Sequence, residues 1–331
     1  MTPSITLSSG LTETHGGFVR RLREALKLQL RARWQHSQTR DWLQLLNSHP
    51  VFHDLVQAYP HVIHKVYRDY LSKKLSCRQR VDVLIEHYHF ILQQGWGNLM
   101  AQAARGPVHL GAVTGKSGAL YHLQLCSLHP MDREGEMVLQ LTDNDEVLYT
   151  VAFTFFGAPQ RTGMDVGIGC IQGPRGGQEG LRRVREATRD LHGLRPKNLM
   201  IRLVRQLGYV HGCRKVILVS NENHAVHQSA KKRGRLFANY NELWHELGAL
   251  LRSDGDFELP CEDLPMPVME EIASKKRSEM RKRHEITLEL INCLRSGLDA
   301  HRRPTPMPTP QQVAANDAQQ VEEDDYEAAV A

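Results

Sequence analysis

The chain has 331 residues, 41% of them hydrophobic, and carries 42 Lys and Arg against 37 Asp and Glu. That length can bury a substantial core and suggests about two domains. No apolar run reaches the roughly 18 residues a bilayer helix needs, and the first residues lack an apolar signal core, so a cytoplasmic protein is expected. The charge is unevenly spread. Residues 304–331 hold six acids and no Lys or Arg, so the rest of the chain carries 42 minus 31, or +11. A body this basic attracts anions, whether nucleic acid, phospholipid headgroups or phosphorylated small molecules. The six cysteines are scattered without a Cys-x-x-Cys pair, as reduced core thiols are.

After a flexible N-terminus over residues 1–16, apolar positions recur at helical spacing through residues 17–106, predicting four or five helices. Gly106-Pro107 then changes the period. Short β-branched and aromatic runs over residues 108–112, 119–128, 136–141 and 147–156, parted by turn-forming stretches, predict an antiparallel meander. A further strand over 168–172, helices over 178–191 and 196–210, and a strand over 216–220 form a crossover, which makes the sheet mixed. Helices are expected from His224, over 240–251 and over 268–298, with an edge strand at 257–260. The organisation is therefore a helical region (17–106), a mixed-sheet core (107–260), a basic C-terminal helix (261–303) and a disordered acidic tail (304–331). The fold class is α+β, with a mixed, mostly antiparallel sheet and flanking helices.

Candidate chemistry gathers at two corners. Between Arg175 and Arg235 stand fifteen Lys or Arg and only four acids. Within that stretch Pro196 starts a helix, between Arg195 and Lys197 and next to Asn198. Free backbone N–H groups and the positive end of a helix dipole suit a phosphate there. The other corner is Asn221-Glu222-Asn223-His224, just past a buried strand, where α/β folds place ligands. Its plain alternative is that the Asn side chains cap a helix. Glu222 and His224 are candidate bases. Tyr240 and Trp244 share a helix face, as core aromatics do, although a Tyr can also give up a proton. Lys275, Lys276 and Arg277 make a cationic face for a partner or an anionic membrane surface. Nucleic acid ranks last, since no aromatic residues interleave with the arginines. Thr114-Gly-Lys-Ser117 lacks the first glycine of a phosphate loop, and no His/Cys set has metal-ligand spacing, so no metal is expected.

The run Ile168-Gly-x-Ile-Gln-Gly173, His192-Gly-Leu-Arg-Pro-Lys197, Val219-Ser-Asn221 with His224, Tyr240-x-x-x-Trp244 and Lys275-Lys-Arg-Ser278 resembles the bacterial VirK/YbjX family over about residues 35–300. The resemblance implies a domain of unknown function associated with envelope stress, virulence and resistance to antimicrobial peptides. The order of elements also resembles the GNAT-like acyltransferase fold. That likeness implies an acyl-CoA or another activated acyl donor, with Arg195, Lys197 and Asn198 on its pyrophosphate. Gln172 and Asn221 would lie along the donor and Tyr240 at the leaving thiolate. The expected activity is acyl transfer to an amine or envelope component; the alternative is a non-catalytic adaptor docking through its basic helices. Trp244, Lys275, Lys276 and Arg277 would then meet substrate or partner, with peripheral contact at the inner membrane. The acyltransferase reading requires the corners at Arg195 and Asn221 to open into one cationic hollow.

Overall fold

The structure, a computed structural model, describes residues 4–10, 18–157, 163–174, 177–226, 239–265 and 267–303. The expected acidic tail, and the predicted helix beyond Val226, lie outside the described residues.

Five α-helices come first: α1 (Phe18–Trp34), α2 (His36–Asn47), α3 (Pro50–Ala58), α4 (Cys77–Gln93) and α5 (Gly97–Arg105). The start of α4 is set by a capping box: Ser76 accepts the Gln79 N–H, and the Gln79 side chain accepts the Ser76 N–H. Residues 4–10 depart from the flexible N-terminus expected. Ile5 is buried, and the Asn47 side chain holds both its backbone N–H and its carbonyl.

Eight strands then form one sheet in the order β1-β2-β3-β4-β5-β6-β8-β7. They are β1 (Val108–Thr114), β2 (Leu120–Ser127), β3 (Met137–Asp143), β4 (Glu146–Gly157), β5 (Met164–Gln172), β6 (Cys213–Leu218), β7 (Leu250–Leu251) and β8 (Phe257–Pro260). Every pairing is antiparallel except that of β5 with β6. The parallel pair is joined by α6 (Gln178–Asp190) and α7 (Pro196–Val210), the crossover that a parallel connection requires. The fold is thus α+β, with a mixed, mostly antiparallel sheet.

Two elements differ from expectation. The helix from Tyr240 stops at Glu246 (α8, Tyr240–Glu246), because Gly248 at φ +73° turns the chain into the short strand β7. No helix begins at His224, which forms a β-bridge with Ser72.

The last helix, α9 (Ser274–Ala300), buries Leu290, Ile291, Leu294 and Leu298. It lies against the edge strand β1. A Cβ on Gly297 would sit 2.7 Å from the Leu110 carbonyl oxygen, so glycine permits that approach. Covering the edge in this way removes a template for strand addition.

A buried polar seam joins the helical layer to the sheet. Lys65 is ion-paired with Glu136, both almost fully buried, and Tyr88 Oη donates to Glu136 Oε2 at 2.5 Å. Beside them Tyr70 Oη and Thr154 Oγ1 are 2.6 Å apart. His87 Nδ1 accepts the Phe155 N–H at 3.2 Å. Burial, then the charge of Lys65, pushes the His87 imidazole down to about 3.

Candidate functional site

Three separate segments are stitched together at the carboxyl ends of β5 and β6. The Leu71 N–H donates to the Arg133 carbonyl at 2.8 Å and the Lys73 N–H to the Asn223 carbonyl at 2.7 Å. Arg133 returns the link by donating to the Asp69 and Ala225 carbonyls, at 2.9 and 2.6 Å. The loop Met131–Glu136 can lie down on the sheet because two glycines make room. A Cβ at Gly169, in the middle of β5, would stand 2.0 Å from the Glu134 carbonyl oxygen, and one at Gly135 would stand 2.4 Å from the Phe153 nitrogen. Glycine inside a strand marks such close backbone approach.

This stitching brings Glu134, Cys170 and His224 together, all buried, with one potential ligand atom from each lying within 4.8 Å of the others. Burial pushes the Glu134 carboxyl up to about 7. The Cys170 thiol rises to about 12, through burial first and the Glu134 charge second. Tyr240 roofs the group. Its hydroxyl lies 3.3 Å from Cys170 Sγ and donates to the Ile171 carbonyl at 3.0 Å. The His224 and Tyr240 rings stack at 5.4 Å, and those of Tyr240 and Trp244 at 5.8 Å. Trp244 Nε1 closes the column by donating to the Val219 carbonyl at 2.9 Å.

The Asn221 loop serves this assembly. Asn221 accepts the Tyr240 N–H and donates to the Asn239 side chain, while its own N–H goes to Asn241. Asn239 caps α8. Asn223, buried, bonds Asp256 Oδ1 and the Asp254 carbonyl, so it anchors the loop to the β7–β8 turn instead of capping a helix. Glu222 is exposed and accepts from Asn241 Nδ2 at 3.0 Å. Gln172 is exposed at the end of β5.

The other corner is open. A cavity of about 400 Å³ between α6 and α7 is lined by Arg185, Arg189, Arg195 and Lys197 with Tyr149, and by no acid. Among the described residues, Arg185, Arg189 and Arg195 have no ion-pair partner, and Lys197 reaches only Glu246, at 4.0 Å. Asn198 faces away, into a second cavity of about 640 Å³ that also holds Arg202, Arg205 and Arg283 with Glu262 and Asp263. Of the three predicted pyrophosphate contacts, Lys197 therefore lines the first cavity, Asn198 the second, and Arg195 borders both.

The expected shared hollow is corrected by α8, which stands between the corners. Tyr240 at its start packs on Cys170 and Ile171, and Glu246 at its end faces Lys197. Neither cavity beside α7 is lined by a residue of the Asn221–His224 loop. Trp244 is buried in the core. On α9, Lys275 and Lys276 are exposed, whereas Arg277 donates to the Ile272 carbonyl. The Thr114–Ser117 turn is filled from within: Asp190 accepts the Ser117 N–H at 2.6 Å and the Tyr121 hydroxyl at 2.9 Å.

Sequence reasoning missed Glu134, Cys170 and the Lys65–Glu136 pair. The mid-strand glycine Gly169 and the adjacent Glu134-Gly135 were the available signals.

The residues that carry the VirK/YbjX resemblance on β5, the Asn221 loop and α8 thus meet at one junction. The family DUF535, a protein family of unknown function, matches residues 17–293. The chain belongs to this family. The uncharacterized protein YbjX of Escherichia coli (strain K12) is 28% identical over 250 residues, 74% of each chain, in keeping with that resemblance. An uncharacterized protein of Haemophilus influenzae is 24% identical over 274 residues, 81% of this chain and 88% of its own. Membrane protein LapB of Mannheimia haemolytica is 26% identical over 190 residues, 56% of this chain and 78% of its own. Among solved structures, a cAMP-binding acyltransferase from Mycobacterium smegmatis aligns over 65% of each chain, at 12% identity and a TM-score of 0.27, too distant to bear on function.

Proposed function

We propose that this member of the DUF535 family binds a phosphate-bearing ligand in the cleft between α6 and α7, and that the ligand is an activated acyl donor such as an acyl-CoA. One observation carries the reading: Arg185, Arg189, Arg195 and Lys197 converge on one cavity at the start of a helix, with no acid in its lining. Clustered cations and free helix N–H groups recognise phosphate by charge and by hydrogen bonding. The acceptor proposed is an amine or an envelope component, in line with the envelope-stress, virulence and peptide-resistance associations that the VirK/YbjX resemblance implies. Of the residues expected to move protons, Glu222 alone keeps an exposed carboxylate, but α8 parts it from the cleft, so it is not proposed as the base for a donor bound there. His224 and Tyr240, both buried, are proposed to hold the scaffold.

Thermal-shift and calorimetric titrations with acyl-CoA, coenzyme A and inorganic pyrophosphate test this. Binding that is lost in Arg195→Ala/Lys197→Ala supports the reading, and no response to any of the three removes it.

The second reading, an adaptor on an anionic membrane, is favoured by the exposed Lys275, Lys276, Arg281 and Lys282 of α9. No helix of the described residues is long and apolar enough to cross a membrane. Charge reversal at Lys275 and Lys276 should abolish co-sedimentation with anionic vesicles if this reading is right, while leaving pyrophosphate binding intact.

A further inference from the structure

The cluster beneath Tyr240 calls for a role that the anion cleft does not give it. Glu134, Cys170 and His224 bring a carboxylate, a sulfur and an imidazole to one point, from a loop, a strand and a second loop held together by backbone hydrogen bonds. All three are buried, at 7%, 7% and 2% exposure. A thiol, an imidazole and a carboxylate in contact also describe a nucleophile with its base. A nucleophile must meet substrate, however, and here Tyr240 covers the thiol. The small, mixed S/N/O donor set in a closed place matches a borderline-soft divalent cation. We propose that Glu134, Cys170 and His224 bind a single transition-metal ion of the zinc class, and that the ion fastens the Met131–Glu136 loop and the Asn221–His224 loop to β5.

The dimensions support this. Around a tetrahedral zinc, with metal–ligand distances of about 2.0–2.3 Å, neighbouring ligand atoms lie roughly 3.5 Å apart. Here they lie within 4.8 Å of one another, so the side chains close by at most about 1.3 Å, within the reach of χ rotations. The outer shell is at hand. Tyr240 Oη, 3.3 Å from Cys170 Sγ and now donating to the Ile171 carbonyl, can turn its proton to the sulfur when the thiolate forms. The contact at Nδ1 must yield. His224 Nδ1 accepts the Val226 N–H at 3.3 Å, and ligation through Nε2 moves the ring proton to Nδ1. That contact is long, and it lies at the end of a turn segment. On binding, the thiol and the carboxylic acid release their protons to solvent while the metal accepts a sulfur, an oxygen and a nitrogen lone pair. No electron transfer is involved.

The test uses full-length protein stripped of metal with chelator and titrated with Co²⁺, then with Zn²⁺ in competition. The expected result is one equivalent of Co²⁺ with a thiolate-to-cobalt charge-transfer band, displaced by Zn²⁺, together with a raised melting temperature. The band should vanish in Cys170→Ser and persist in Cys126→Ser and Cys261→Ser. Tyr240→Phe should weaken affinity by roughly 10- to 100-fold, the range for outer-shell partners. Absence of a thiolate band in the wild-type protein, or a band that survives in Cys170→Ser, overturns the proposal. Should Cys170→Ser fail to fold, X-ray absorption of the zinc-loaded wild type decides, since a coordination shell without sulfur also overturns it. Because these readouts involve no phosphate ligand, they stand or fall apart from the acyl-donor reading.

Discussion

The sheet's buried polar groups and the open cleft at Arg195 use the same kinds of side chain to opposite ends. Along the seam and under Tyr240, charges and hydroxyls are withdrawn from water and bound to one another, as in Lys65 with Glu136 and Tyr240 with the Ile171 carbonyl. In the cleft, Arg185, Arg189 and Arg195 are exposed, form no ion pair among the described residues and share a cavity lining that holds no acid. Burial turns a residue type that usually signals chemistry into a fastener, because a desolvated polar group must be satisfied from within the protein. Exposure leaves the charge available to a ligand. The contrast therefore predicts large stability effects with no ligand effect on one side, and the reverse on the other.

The largest effect is expected from Lys65→Met. It leaves Glu136 buried beside the Tyr88 and Tyr70 hydroxyls but without its counter-charge, and loss of one partner of a buried pair costs about 3–5 kcal/mol. Denaturant titration checks this, and adding Glu136→Gln should recover part of the loss. Next comes Gly169→Ala. The new methyl would overlap the Glu134 carbonyl and force the Met131–Glu136 loop off β5, at a cost of about 1–3 kcal/mol. A wild-type melting temperature in either variant would erase the distinction between the two regions.

These predictions also mark what the sequence made legible. The meander, the crossover and the Pro196 turn could be read because each is set by local signals: period-2 alternation, turn residues, and a proline at a helix start. The end of α8 was overrun because its apolar pattern runs through Gly248, whose positive φ stops the helix. The buried junction was out of reach for a different reason. Glu134 and Cys170 are 36 positions apart and Cys170 and His224 a further 54, so no spacing rule joins them. Only the register of β5 against β4 and the loops above it brings them into contact. His224 and Tyr240 were noticed as residues of catalytic type, yet burial is a tertiary property and was not visible at their positions.

A smaller and pH-dependent effect should come from His87. Its imidazole, held down to about 3 by burial and by Lys65, stays neutral in the fold while the unfolded chain titrates near 6.5. Its contribution to stability is thus complete above about pH 6.5 and is lost as pH falls toward 3, at on the order of 1 kcal/mol per pH unit. Among the described residues, the ionisable groups acting on it are Lys65, through its charge, and Tyr88, through its ring. His87→Gln keeps an acceptor for the Phe155 N–H but cannot titrate, so its stability relative to wild type should improve steadily as pH drops from 6.5 to 4. Parallel stability curves for the two proteins would show that burial does not hold His87 neutral.

The smallest expected change in stability is at the cleft, where the comparison is sharpest. Arg195 is exposed and Lys197 has only the distant Glu246, so Arg195→Ala/Lys197→Ala removes no buried contact and should alter unfolding free energy by no more than about 0.5 kcal/mol. The same change removes two of the four cations lining the cavity between α6 and α7. Pyrophosphate binding should then weaken and lose much of its salt dependence, because screening acts on the charges that were removed. If the double variant instead unfolds like Lys65→Met, the arginines belong to the fabric of the fold and the open corner is no different in kind from the buried one. If it folds normally and pyrophosphate binding is unchanged, the cleft's charge serves neither purpose, and exposed cations elsewhere, such as those on α9, become the better place to seek the ligand.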